Sequence, residues 1–206
     1  GETATLPDFY SPGEYDLAGT IVGIVERARI VDGAAIRLGD ALVGLASDGL
    51  HTNGYSLARR LLFDVSGLTA ESQVEGWDAT VGEELLKPHR CYVGPVLHLL
   101  ERVPVRGMAH ITGGGLVDNL PRILPSGLTA RIEKGTWPVL PVFVSLKAMG
   151  DVTGQEMFRV FNMGIGFVVV VPADRVDETC DLLRAQGERA YRIGEVVEGT
   201  KGVEIV

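Results

Sequence analysis

Apolar residues occupy both alternating sets along residues 15–30: Leu17, Gly19, Ile21, Gly23 and Val25 on one side, Ala18, Thr20, Val22 and Ile24 on the other. A strand that is apolar on both sides is covered on both sides, so the stretch is predicted as one long buried strand. Such a strand needs hydrogen-bonded neighbours. The residues before it, 2–14, read as a loop by Pro7, Pro12 and Gly13. It is therefore expected to belong to a sheet completed by upstream chain, a partner subunit or both, and Gly1 in place of a starting Met agrees.

Beyond Asp32-Gly33 the pattern changes, and a boundary is expected near residues 31–39. Short apolar runs predict strands over 41–46, 105–111, 128–132, 165–171, 190–197 and 203–206. Helical spacing predicts helices over 53–65, with Leu57, Leu61 and Leu62 on one face, and over 81–86, stopped by Pro88. Further helices are predicted over 92–101, from Gly115 to about Leu124, and over 139–148, 154–161 and 173–186. Tyr92 and Phe143 are expected in the core, and His98 reads as structural. Strands and helices interleave irregularly, so the fold class is α/β (α+β), a mixed sheet with packed helices.

Composition narrows the function classes. The chain has 206 residues, 46% hydrophobic and 22% charged, which is ordinary globular composition with enough length for a sizeable core. A net charge of -8 repels polyanions and argues against a nucleic-acid or anionic-membrane partner. The longest strongly apolar run, 165–171, is far short of the roughly 20 residues that span a bilayer. Cys91 and Cys180 sit in no CxxC or Cys/His cluster and read as reduced thiols of a cytoplasmic protein. Histidines 51, 89, 98 and 110 show no ligand spacing, and the metal ligands stay unknown.

Three segments carry candidate chemistry. Ser47-Asp48-Gly49-Leu50-His51-Thr52-Asn53-Gly54 is a polar turn between a strand and a helix. There His51 is an acid/base or hydrogen-bonding group with Asn53 orienting, or else Thr52 or Asn53 caps the helix and His51 is solvated. His110-Ile111-Thr112-Gly113-Gly114-Gly115 lies on a strand-to-helix junction, where free backbone N–H groups suit a phosphate and a tight packing turn is the plainer alternative. It matches neither the P-loop nor the dinucleotide fingerprint. Asn162, in Phe161-Asn162-Met163-Gly164, reads as a substrate contact or a helix C-cap, the latter favoured by local pattern.

Together with Glu2-Thr3-Ala4 and Pro12-Gly13-Glu14-Tyr15-Asp16-Leu17-Ala18-Gly19, these segments resemble the aminoimidazole ribonucleotide synthetase (phosphoribosylformylglycinamidine cyclo-ligase) family. Gly44-Leu45-Ala46-Ser47, Asn119-Leu120-Pro121-Arg122 and Glu156-Met157-Phe158-Arg159-Val160 fit as well, in family order and spacing over essentially the whole chain. The resemblance implies ATP-dependent ring closure of formylglycinamidine ribonucleotide in purine biosynthesis, in a homodimer, with ATP and magnesium. ATP phosphorylates the formyl amide oxygen, an amidine nitrogen attacks that carbon, and phosphate leaves as the imidazole closes. It implies His51 as the donor at the activated oxygen, with Asn53 or Asn162 helping, and Thr112, Gly113, Gly114 and Gly115 around the ribose phosphate. Glu2 and Thr3 would border the nucleotide site.

The family's acidic and lysine motifs for ATP and magnesium, of the Asp-Gly-Val-Gly-Thr-Lys type, are missing here. Residues 1–35 would then be a remnant of an N-terminal ATP-binding domain with a dimer-shared sheet, and 36–206 the C-terminal synthetase domain. Alone, the chain is expected to be inactive. The alternatives are another ATP-dependent enzyme of the same superfamily and a non-catalytic phosphate-binding or dimerisation module.

Overall fold

The computed structural model describes Gly13, Tyr15 and residues 19–206, and the chain divides into two units, Gly1–Ile30 and Val31–Val206. In the first unit, residues 19–26 have no regular structure, and Arg27–Arg29 form one 3-10 turn. Ile21, Val22 and Ile24 are exposed. For these residues the long buried strand is corrected. The alternation is present, but ladder bonds make a strand, and among the described residues nothing pairs with it. Residues 16–18, and the loop that carries Glu2 and Thr3, lie outside the described residues.

In the second unit, six strands form one sheet among the described residues: β1 (Ala41–Ala46), β2 (Gly107–His110), β3 (Leu128–Ile132), β4 (Ile165–Val171), β5 (Ala190–Glu198) and β6 (Gly202–Ile205). Their order is β2-β4-β1-β5-β3-β6, antiparallel throughout except for the parallel pair β3–β6. Seven helices join them: α1 (Tyr55–Arg59), α2 (Val81–Leu85), α3 (Val93–Leu100), α4 (Gly115–Asn119), α5 (Pro141–Gly150), α6 (Gly154–Val160) and α7 (Val176–Ala185). The architecture is the mixed α/β one that the sequence predicts.

The two-sided apolar strands explain the layers. Leu42 of β1 and Val168 and Val170 of β4 pack into a core with Ala58, Leu116, Phe143 and Met157 from α1, α4, α5 and α6. Their alternates, Ala41, Val43, Leu45, Val169 and Val171, pack with Val96, Leu99, Cys180 and Leu183 from α3 and α7. Each fully buried side chain of the Leu or Phe class is worth about 1.5–3 kcal/mol against exposure, so the sheet is held from both faces. Local signals set the helix ends. Thr80 and Glu83 form a reciprocal capping box on α2, and Pro141 opens α5. The helix predicted over 53–65 starts as α1 and continues as a π-helical stretch, Arg60–Val65.

Register then brings the candidate segments to one end of the sheet. Ala46 at the end of β1 pairs with Ile165 at the start of β4. His110 at the end of β2 pairs with Phe167, and Leu45 pairs with Ala190 at the start of β5. The turns after β1 and β2 and the turn before β4 therefore share an edge.

Candidate active site

The turn after β1 is organised by one amide. Oδ1 of Asn162 accepts from Ser47 Oγ at 2.9 Å and from the Gly164 N–H at 2.8 Å. Its Nδ2 donates to the carbonyls of Gly49 at 2.9 Å and Leu50 at 3.1 Å. Asn162 is buried, and all four of its bonding positions are taken. The structure thus leaves it nothing to offer a ligand: it positions the turn that carries His51. The left-handed conformation expected of Asn162 falls instead on Met163 and Gly164.

His51 is itself left-handed, at φ 59°, a backbone strain of order 1–3 kcal/mol of the kind that collects at functional sites. It is only 3% exposed. The Asp48 N–H donates to its Nε2 over a long 3.3 Å, so the neutral ring carries its proton on Nδ1. Nδ1 is sealed from solvent and has no partner among the described residues. An unpartnered buried donor costs about 1–3 kcal/mol, a penalty that a hydrogen-bond acceptor arriving at the ring would remove. Burial above all, and then the neighbouring His89, push the His51 pKa down to about 4. Nearby Asp48 opposes this, while His110 and Arg90 add to it. At neutral pH the ring is an uncharged donor.

Protonation of His51 should therefore read out in stability. The folded value of about 4 lies below the ordinary 6.5, so the unfolded chain takes up the proton first on acidification. The contribution is whole above pH 6.5 and is lost as pH falls through 4. Urea midpoints from pH 7.5 to 4 are expected to drop less steeply for His51→Asn, whose side chain also tolerates the left-handed backbone. Identical slopes would refute the assignment.

Around His51 the structure assembles more than the sequence spacing offered. The His89 ring stacks on it at 4.1 Å between centroids, and Nε2 of His89 lies 2.9 Å from Nε2 of His110. Thr52 Oγ1 is 3.3 Å from Nδ1 of His89. Burial lowers the pKa of both His89 and His110, with His110 adding to the effect on His89. Tyr92 closes the far side, its hydroxyl donating to the Ala46 carbonyl at 2.8 Å. Its own pKa is raised, first by burial and then by Glu188.

His89 was missed because nothing local marks Pro88-His89-Arg90. Its meeting with His51 and His110 depends on the strand order alone. Among the described residues no set of three or more His, Cys, Asp or Glu side chains is arranged to hold a metal ion. His98 stays apart, bonded to Arg102.

An ion-pair cluster braces the same end. Arg90 donates through Nη1 to Asp48 at 2.9 Å and through Nε to Glu188 at 2.8 Å, while Arg189 reaches Asp48 at 3.0 Å. Beside it lies a cleft of about 540 Å³ lined by Asp48, Trp77, Lys87, His89 and Arg90 among others.

The glycine turn after β2 sits against this assembly, and a Cβ on Gly113 would lie 3.4 Å from Asn53 Oδ1. Asn119 fixes the turn, accepting from Thr112 Oγ1 at 3.1 Å and donating to the carbonyls of Thr112, Gly113 and Gly115. The expectation of three free N–H groups is corrected at Gly115, whose N–H donates to the Thr112 carbonyl at 3.0 Å. Gly115, at φ 57°, is there for packing: a Cβ would lie 2.1 Å from the Phe158 carbonyl oxygen. The Asp118 carboxylate also faces Gly114, 2.8 Å from where its Cβ would be.

A sheet backed by helices on both faces, with polar turns gathered at one strand end, is a fold also found in solved structures. The chain is similar to a thiamine-monophosphate kinase from Stenotrophomonas maltophilia K279a (TM-score 0.59, 18% identity, 88% of this chain and 54% of that one). It is also similar to Thermotoga maritima PurL complexed with AMPPCP (TM-score 0.51, 16% identity, 85% of this chain and 24% of that one). These likenesses establish the fold.

Residues 37–206 match the family model described as AIR synthase related protein, C-terminal domain, and the chain belongs to that family. It is 52% identical over 201 residues to the phosphoribosylformylglycinamidine cyclo-ligase of Syntrophotalea carbinolica, across 98% of this chain and 57% of that protein. Curated relatives of this name are thus matched over rather less than two thirds of their length. Among the described residues no helix is long and apolar enough to cross a membrane.

Proposed function

We propose that this chain is the C-terminal part of a phosphoribosylformylglycinamidine cyclo-ligase, which closes formylglycinamidine ribonucleotide to aminoimidazole ribonucleotide with ATP, yielding ADP and phosphate. Identity of about half over nearly the whole chain supports the reading. The observation that carries it is the neutral, buried His51 ring with an unpartnered Nδ1–H. Loss of phosphate from the activated carbon returns an electron pair to the departing oxygen, and a preorganised neutral donor stabilises that charge without first losing a proton.

In this reading substrate binding uncovers Nδ1 of His51, which donates to the reacting oxygen while Asn162 fixes the turn beneath it. Asn53 and Thr112 contact substrate beside the glycine turn, and the N–H groups of Gly113 and Gly114 take the ribose phosphate. Gly115 supplies the close packing that lets the turn form. Holding both ends of a flexible substrate is what accelerates ring closure.

Residues 1–35 then belong to the ATP-binding domain and 36–206 to the synthetase domain. ATP binds mainly on the former, with Glu2 and Thr3 at its border, in a cytoplasmic homodimer. Among the described residues no set of three or more potential ligands is arranged to hold a metal ion, so magnesium would be held by the ATP-binding domain.

The test joins this chain to the N-terminal domain of the Syntrophotalea carbinolica relative and assays aminoimidazole ribonucleotide formation. The chain alone is expected to bind formylglycinamidine ribonucleotide without turnover, and the joined enzyme to turn over. His51→Ala in the joined enzyme should lower kcat by about 100- to 1000-fold, the usual cost of removing an oxyanion donor. Near-normal ring closure by that variant would refute the role of His51. Failure of the chain to bind the substrate would favour another member of the superfamily.

A further inference from the structure

We propose that His89 and His110 form an open two-imidazole site for a divalent transition-metal ion of the zinc or copper class, beside the His51 turn. Their Nε2 atoms face each other at 2.9 Å, with ring centroids 5.0 Å apart and planes inclined by 58°. Two neutral imidazoles can make such a contact only by placing a single proton between two ring nitrogens. Both nitrogens are thus aimed at one point, and a metal ion can replace that proton. The ring that held it keeps its proton on Nδ1 instead, so no proton has to leave the neutral pair.

Size and surroundings agree with this. Tetrahedral zinc with Zn–N bonds of 2.0–2.1 Å sets its two nitrogens about 3.3 Å apart and lies off the line between them, so the rings open by about 0.4 Å and each turns by about 35° to bring its lone pair onto the ion. His110 ends the edge strand β2 and is exposed, and His89 lies in the turn between α2 and α3 rather than within a helix. Thr52 Oγ1, at 3.3 Å from Nδ1 of His89, is placed to accept from that nitrogen and so leave Nε2 for a metal. Both rings line an open groove of about 450 Å³, where water can complete the coordination. The positive charge of Arg90 in the same groove is offset by its bonds to Asp48 and Glu188.

Because the described residues add no third protein ligand, the site is an exchangeable one, distinct from a structural zinc centre. Imidazole donors favour zinc, nickel and copper over magnesium, so the ion of the proposed ATP chemistry would not compete. The proposal does not depend on the cyclo-ligase reading, since its readout is binding. A metal here would pin His89 over His51.

Isothermal titration of the full chain with zinc chloride at neutral pH is the test. One zinc ion per chain is expected, with affinity at least tenfold weaker in His110→Ala and in His89→Phe, which keeps an aromatic ring stacked on His51. His98→Ala should bind as wild type does, and magnesium should give no signal. No zinc binding by the wild-type chain would overturn the proposal, and so would unchanged affinity in either His89→Phe or His110→Ala. Proton–nitrogen correlation spectra of each variant establish that it is folded.

Discussion

Asn162→Leu is expected to destabilise the chain by about 4 kcal/mol or more, with few soluble folded molecules at 37 °C. Leucine fills nearly the same volume, so the loss is one of bonding. Four buried partners, the Ser47 hydroxyl, the Gly164 N–H and the carbonyls of Gly49 and Leu50, are left without Asn162. Each orphaned group costs about 1–3 kcal/mol, and a domain's whole stability is only about 5–15 kcal/mol. Asn162→Asp keeps the two acceptor bonds but sets a carboxylate against two carbonyl oxygens, and it should fare no better. Urea unfolding followed by circular dichroism measures both. A change below 1 kcal/mol in either variant would mean that the turn is held by something else.

The second large effect is expected at Gly166 in β4. A Cβ there would lie 2.1 Å from the Tyr92 hydroxyl and 2.6 Å from Cε1 of His51. The backbone is extended, so alanine is conformationally allowed and the problem is purely one of space. Tyr92 cannot retreat, being buried beside Phe167 with its hydroxyl bonded to Ala46. Gly166→Ala should therefore cost about 3 kcal/mol, as overpacking in a rigid core does, and should displace the His51 ring. Removing the clashing oxygen in the double variant Gly166→Ala/Tyr92→Phe should recover part of the loss. The pair of thermal midpoints decides the matter, and no recovery would place the clash elsewhere.

What could be read beforehand was whatever short-range pattern determines. Residues 41–46, 128–132 and 165–171 emerged as strands with their predicted bounds, because short runs with apolar residues at strand spacing have few other ways to bury them, on both faces at 41–46 and 165–171 and on one face at 128–132. The stretch at 15–30 had the same pattern yet forms no strand in its described part, since pattern supplies the faces of a strand but not the neighbour it bonds to. In the candidate site, His51 and the glycine turn were recognisable. The roles of their supports were not. Asn162 looked like a cap because its partners at 47, 49 and 50 lie more than 110 positions away. Gly115 looked like a ligand contact because the Phe158 carbonyl that requires it belongs to another helix. His89 had no neighbour in sequence to announce it.

The strand order has a consequence for how the chain comes to be folded. Among the described residues no two consecutive strands bond to each other: β1 waits for β4 and β5, and β3 for β5 and β6. There is no hairpin to zip first, and the central strand at 41–46 finds both its edges only when residues 165–198 exist. Such long closures precede any reward in contacts, which places folding among the slower, milliseconds-to-seconds topologies. On the ribosome, β1 must emerge apolar on both faces and stay unpaired until more than a hundred further residues have been made. A nascent chain arrested before β4 would expose that strand, a natural client for chaperones that hold extended apolar segments.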